Sequence, residues 1–107
     1  MNSDILGFIK SCIKRGKIYW TYHVNMRLQG RFIAREAILG SVETYEIIEQ
    51  YPEDKYLPSC LIYANHEGQI YHIQIATDPV NHNVRIITAY RPTLDKWTED
   101  FKTRRKT

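Results

Sequence analysis

The sequence has no glycine-rich phosphate loop, no pair of histidines at zinc-protease spacing, no cysteine-rich metal site and no serine elbow. Nucleotide hydrolysis, zinc chemistry and ester hydrolysis are therefore disfavoured. Its five glycines are scattered at expected helix ends and turns, and its acidic residues are not clustered in a way that would hold magnesium. Any catalysis is expected to run without a metal or a cofactor. The two cysteines, Cys12 and Cys60, lie far apart, which argues against both a disulfide framework and a zinc-binding doublet. Both read as small buried hydrophobes. No apolar run approaches the roughly 18 residues that span a bilayer, and the chain does not start with the pattern of a secretory leader. A cytoplasmic protein is the expectation.

What the chain does contain is enough apolar residue, 43% against 25% charged over 107 residues, for a single domain spanning 1–107. The net charge of +3 is unevenly spread: from Lys96 onward Lys96, Lys102, Arg104, Arg105 and Lys106 face only Glu99 and Asp100. The C-terminal end is thus the basic end.

Ser3 or Asp4 can cap a first helix in which Ile5, Ile9, Cys12 and Ile13 recur at helical spacing, ended by Lys14, Arg15 and Gly16. Thr21 can cap a short second helix with Val24 and Leu28 one turn apart, closed at Gly30. A third helix is expected from about Ala34 to Val42 on the stripe Ile33, Ala37, Ile38 and Val42. The period then changes from helical to alternating, and four runs read as strands: Thr44–Tyr51, Ser59–Asn65, Gln69–Thr77 and Asn83–Arg91. Short connections imply antiparallel pairing. In the third run Tyr71, Ile73 and Ile75 form a dry face, while His72, Gln74 and Ala76 form a wetter one. Leu94, Trp97 and Phe101 fit a short terminal helix. The expectation is an α+β fold, with the N-terminal helices on one face of a four-stranded antiparallel sheet and a short C-terminal helix.

Candidate chemistry sits at three places. His23 falls in the first turn of the second helix with Arg27 one turn later, so a neutral imidazole would stand beside a phosphate-binding guanidinium; equally, His23 could bond a neighbouring carbonyl while Arg27 is a solvated charge. His72 lies in an interior strand where Thr or Val would be more usual, as a structural or a catalytic histidine. Tyr90 and Arg91 end the last strand, where Arg91 could hold a phosphate and Tyr90 could stack on a base or donate a proton. Eight tyrosines, two tryptophans and the basic tail suit a surface that stacks bases and neutralises phosphates, with Lys96, Lys102, Arg104 and Arg105 as backbone contacts. Tyr19, Trp20 and Tyr22 could as well be a wall of the core.

Thr21-Tyr22-His23, Arg27 and Arg31 before Ile33, Tyr51-Pro52, Ser59-Cys60-Leu61, Tyr71-His72-Ile73, and Ile87 through Pro92 with Trp97 together resemble an uncharacterised family. It is usually placed near the RelE and BrnT toxins of bacterial toxin–antitoxin modules. The resemblance runs from Tyr19 to about Arg105. It implies a RelE-like curved sheet, a toxin that cuts messenger RNA, and an antitoxin protein that covers the site. In the expected reaction His23 or His72 takes the proton of a ribose 2′-hydroxyl, Arg91 and Arg27 stabilise the phosphate, and Tyr90 or the other histidine protonates the leaving 5′-oxygen. The alternative is a non-catalytic module that binds RNA or protein.

Overall fold

The computed structural model of the chain describes residues 4–106. Helix α1 (Ile5–Arg15) starts where the Asp4 carboxylate accepts the Gly7 amide at 2.8 Å and stops at Gly16, whose φ of 74° suits glycine. Ser3, the other expected cap, lies outside the described residues. Ile9, Cys12 and Ile13 are the buried stripe of α1, and Cys12 and Cys60 are both buried and free, as expected.

Ile18–Trp20 form a short strand, β1, that the sequence pattern did not reveal. Three residues between a helix stop and a helix cap are too few to display alternation. Thr21 then caps α2 (Tyr22–Gly30) by accepting the Val24 amide at 3.0 Å, a cap of the kind worth about 1 kcal/mol.

Helix α2 ends at Gly30, as expected, and its termination motif runs on to Ile33. The Ile33 amide donates to the Leu28 carbonyl at 2.9 Å and the Phe32 amide to the Gln29 carbonyl at 3.1 Å. Leu28 and Ile33, the residues that close this motif, are both buried. The pair of bonds defines a Schellman termination whose left-handed position is normally glycine. Phe32 occupies it, with φ 55°, a conformation that costs a residue bearing a β-carbon roughly 1–2 kcal/mol.

Helix α3 (Arg35–Gly40) is shorter than expected and passes into a 3-10 turn at Val42–Thr44. Gly40 weakens the last helical turn, and Ser41 turns its hydroxyl back onto the Ala37 carbonyl at 2.7 Å.

Four strands follow close to where they were expected: β2 (Glu46–Tyr51), β3 (Ser59–His66), β4 (Gln69–Asp78) and β5 (Asn83–Tyr90). With β1 they make a five-stranded sheet in the order β1-β5-β4-β3-β2. The four-stranded antiparallel expectation is corrected on both counts: β1 adds a fifth strand, and it pairs parallel to β5, Trp20 opposite Ile86. The β3–β4 turn at Glu67 and Gly68 has positive φ at both residues, the geometry that matches strand twist. Tyr71, Ile73 and Ile75 of β4 pack with α1, α2 and α3 in the core, so the helices cover one face.

Two bulges set what the other face carries. Ile48 is passed over between the pairs Ile47–Ile62 and Glu49–Leu61, and Ile87 between Ile86–Ile75 and Thr88–Gln74. Each extra residue resets the alternation beyond it. Hence Glu49 and Tyr51 share the helix-free face with Glu46, and Tyr90 is placed opposite His72 rather than under the helices.

The expected C-terminal helix is absent. Residues 92–106 form a strap across the helix-free face, a hairpin whose arms meet at Trp97 and Arg104. The Thr98 amide bonds to the Thr103 carbonyl and the Arg105 amide to the Lys96 carbonyl, both at 2.9 Å. Local side-chain bonds outcompete helix here: Thr93 donates to Asp95, Thr98 donates to Asp100 at 2.7 Å, and Asp100 accepts the Lys102 amide at 3.0 Å. Among the described residues no helix is long and apolar enough to cross a membrane.

Candidate functional site

The helix-free face is built from rows of paired residues: Glu46 and Tyr63, Glu49 and Leu61, Tyr51 and Ser59 from β2 and β3, then His72 with Tyr90 and Gln74 with Thr88 from β4 and β5. Its centre is His72, which has no exposed surface. The imidazole Nε2 lies 2.7 Å from the Phe101 carbonyl and Nδ1 lies 3.3 Å from the Tyr90 hydroxyl. A carbonyl can only accept, so the proton is assigned to Nε2, and Nδ1 accepts from the phenol. Trp97 closes the pocket edge-on, its ring 4.4 Å from the imidazole. Burial lowers the His72 pKa, against the opposing pull of the Phe101 carbonyl and Glu49, and burial raises the Tyr90 phenol. Both therefore rest in their neutral forms.

The strap is tied down by charge at its far side. Arg104 grips Glu49 through two bonds of 2.6 and 3.1 Å and lies over the Trp97 ring at 4.7 Å. Partial burial would raise the Glu49 pKa, but donation from Arg104 and Tyr51 outweighs it and holds the carboxyl below its ordinary value. Lys102 pairs with Glu46 at 3.0 Å and sits over the Tyr63 ring. Arg105 donates to the Leu94 carbonyl.

Arg91 is spent partly on the fold. Its guanidinium donates to the Arg31 carbonyl at 2.7 Å and to the Phe32 carbonyl at 3.0 Å, holding the end of α2. Arg31 returns the contact, donating to the Ala89 carbonyl at 2.7 Å and the Thr88 hydroxyl at 3.2 Å. The guanidinium also lies 5.3 Å from the centre of the Tyr71 ring, and the residue borders the cleft beside it.

That cleft, of about 330 Å³, is lined by Tyr90, Arg91, Pro92, Thr93, Lys96, Trp97 and Arg104. Three cations and two aromatics form its wall with no carboxylate among them. A larger cleft of about 530 Å³ lies over Tyr51, Pro52, Glu53, Asp54 and Gln74, and its two acids would repel a phosphate. His23 is elsewhere: it lines an apolar cleft of about 450 Å³ with Tyr56, Leu57, Ala76, Arg85 and Ile87. Ala76 is four residues along β4 from His72, about 13 Å at the rise of a strand. The two histidines do not meet in one hollow, and His72 is closed over by the strap.

Of the residues singled out in the sequence, the fold brings together Tyr90, Arg91, Lys96 and Arg104, with His72 behind the wall. His23 and Arg27, both exposed on α2, and Lys102 and Arg105 do not line this cleft. Sequence reasoning missed Trp97 as the ceiling over His72, the Phe101 carbonyl and the Arg31–Arg91 lacing; long-range contacts to backbone atoms leave no trace in residue type. Among the described residues no three histidine, cysteine or carboxylate side chains are grouped to hold a metal ion.

A family model described as "Domain of unknown function (DUF4258)" matches residues 20–91. No curated protein and no solved structure matches the chain, so a kinship with the RelE and BrnT toxins rests on the quoted motifs alone.

Proposed function

This chain belongs to the family of domains of unknown function DUF4258, and we propose that it binds the sugar–phosphate backbone of RNA in the cleft between the end of β5 and the strap. The observation that carries this reading is the lining itself, where Arg91, Lys96 and Arg104 stand beside Tyr90 and Trp97 without a carboxylate on the wall. Cations neutralise phosphates and release their counterions, while aromatic faces stack on unpaired bases whatever their sequence. Glu49 behind Arg104 offsets part of the charge; Arg91 and Lys96 carry most of the attraction.

The test is fluorescence anisotropy with a labelled single-stranded RNA across a potassium chloride series. Three phosphate contacts on a single strand give a log–log salt slope of about −2. Replacing Lys96 by Ala reduces the slope by about 0.7. No binding at low salt, or a Lys96→Ala slope equal to that of the wild type, refutes the reading.

A second reading, metal-independent cleavage of the bound RNA by a toxin held in check by an antitoxin protein, is favoured by one contact. Tyr90 stands on the cleft wall with its hydroxyl directed at His72 Nδ1. In this reading the ribose 2′-oxygen bonds to phosphorus as the 5′-oxygen departs, Tyr90 turns its one phenolic proton from His72 Nδ1 to the leaving oxygen and is left as phenolate, and water takes the 2′ proton. His72 is then a positioning residue for the phenol. Burial holds Tyr90 protonated, which favours donation only when the cleft offsets the charge that forms. Incubation in EDTA that leaves no 2′,3′-cyclic phosphate ends disposes of this second reading and leaves the first intact.

A further inference from the structure

We propose that Phe32 is a base-stacking residue that works beside the basic cleft. This rests on the RNA-binding reading and extends it to unpaired bases as the recognised feature. Two observations meet at this residue. Phe32 is 86% exposed, whereas Phe8 and Phe101 are both partly buried, so its ring contributes little to the core. It also occupies, with φ 55°, the left-handed position of the α2 termination, where glycine fits without strain. A phenyl ring is unfavourable there on both counts: the termination bonds and Arg91 hold the backbone of the turn, which glycine would serve as well, and the exposed ring adds little to it. Strain of this sort is tolerated where a side chain serves a partner.

The partner chemistry follows from what holds the residue. The Phe32 carbonyl accepts from Arg91 at 3.0 Å, and Arg91 is itself a wall of the cleft. The turn that displays the ring is thereby fixed to the group expected to meet a phosphate. A nucleotide whose phosphate sits on Arg91 has its base within reach of an aromatic face with no hydrogen-bonding groups to impose a sequence preference. Single-stranded RNA offers such a base; a duplex keeps its bases stacked inside. Tyr22 and Tyr56 are also highly exposed, but their hydroxyls suit water and neither has a positive φ.

The experiment uses the whole chain and compares the wild type with Phe32→Gly, Phe32→Tyr and Lys96→Ala. Each is titrated with labelled single-stranded RNA and with a duplex of the same length, and each is melted. Phe32→Gly is expected to melt no lower than the wild type, because glycine relieves the left-handed position. It should lose about ten-fold or more in affinity for the single strand, the effect of removing one base–aromatic stack. Its salt slope and its affinity for the duplex should stay as they were. Phe32→Tyr should bind the single strand as the wild type does. Single-strand affinity unchanged in Phe32→Gly, alongside a reduced salt slope in Lys96→Ala, overturns the assignment of Phe32 while leaving the cleft in place, and points to a protein as the partner of the ring. A wild type that binds no RNA overturns both.

Discussion

Replacing His72 by Ala tests whether the strap is held from beneath. The imidazole donates to the Phe101 carbonyl at 2.7 Å, accepts from Tyr90 and stands edge-on to Trp97. The donated bond is worth about 1 kcal/mol net, and an orphaned carbonyl under the strap adds about 1–3 kcal/mol when no water reaches it. Loss of the edge-to-face pair adds about 1 kcal/mol. We expect His72→Ala to destabilise the protein by about 3 kcal/mol, a large share of the roughly 5–15 kcal/mol available to a domain. His72→Gln keeps an N–H able to reach the carbonyl and should lose about 1 kcal/mol. His72→Phe, which keeps the ring but not the donor, should fall between them. Urea unfolding followed by far-ultraviolet circular dichroism gives the energies. Limited trypsin digestion reports the strap, which presents Lys96, Lys102, Arg104 and Arg105. If His72→Ala stays within about 0.5 kcal/mol of the wild type, the range of an inconsequential surface change, or if strap cleavage is no faster, then His72 does not anchor the strap.

Two further outcomes are expected. Because burial depresses the folded His72 pKa below 6.5, the unfolded chain takes up a proton first as pH falls. The His72 contribution is therefore complete above pH 6.5 and is lost below it, toward the folded value. Glu49, also depressed, adds a separate loss as pH falls below its ordinary 4.5; urea midpoints between pH 7.5 and 5 should decline in the wild type and stay flatter in His72→Gln. Deleting Ile87, the bulged and partly exposed residue of β5, leaves every strand pair and the Tyr90–His72 contact in place and should change stability by only about 1 kcal/mol. Deleting Ala89 instead drives Tyr90 toward the helices and should cost more than about 3 kcal/mol in the same melts.

Elements with several repeats of their pattern were legible in the sequence. The four long strands and α1 repeat their pattern often enough to be read, and the two faces of β4 separate as the alternation of Tyr71, Ile73 and Ile75 with His72 and Gln74 implies. β1 is too short to show a period. The terminal segment carries a helical spacing of Leu94, Trp97 and Phe101, but Thr93, Thr98, Asp95 and Asp100 close local turns, and Phe101 enters the left-handed region at φ 59°. At the cleft, Tyr90, Arg91, Lys96 and Arg104 stand out in the sequence as aromatic and cationic side chains, and the fold sets them along one wall. The burial of His72 was not legible, because it depends on a backbone carbonyl 29 residues away. Tyr19 and Tyr22 prove to be exposed, while Trp20 packs partly against the core.

The bulges explain how one sheet carries both a dry core and a charged face. In unbroken alternation Ile47 inward would bring Glu49 and Tyr51 inward as well, and Val84 and Ile86 inward would bring Thr88 and Tyr90. An ionised Glu49 beneath the helices would have to shed its charge or unfold the sheet. Passing over Ile48 sends Glu49 to the opposite face, where Arg104 meets it, and passing over Ile87 sends Tyr90 to the side of His72. The same two insertions therefore spare the core two polar groups and give the strap its anchors, Glu49 for Arg104 and the Tyr90–His72 pair beneath Phe101 and Trp97. The basic cleft forms where this strap meets the end of β5. Removing the charge of Glu49 or the ring of His72 should disturb the cleft even though neither residue lines it.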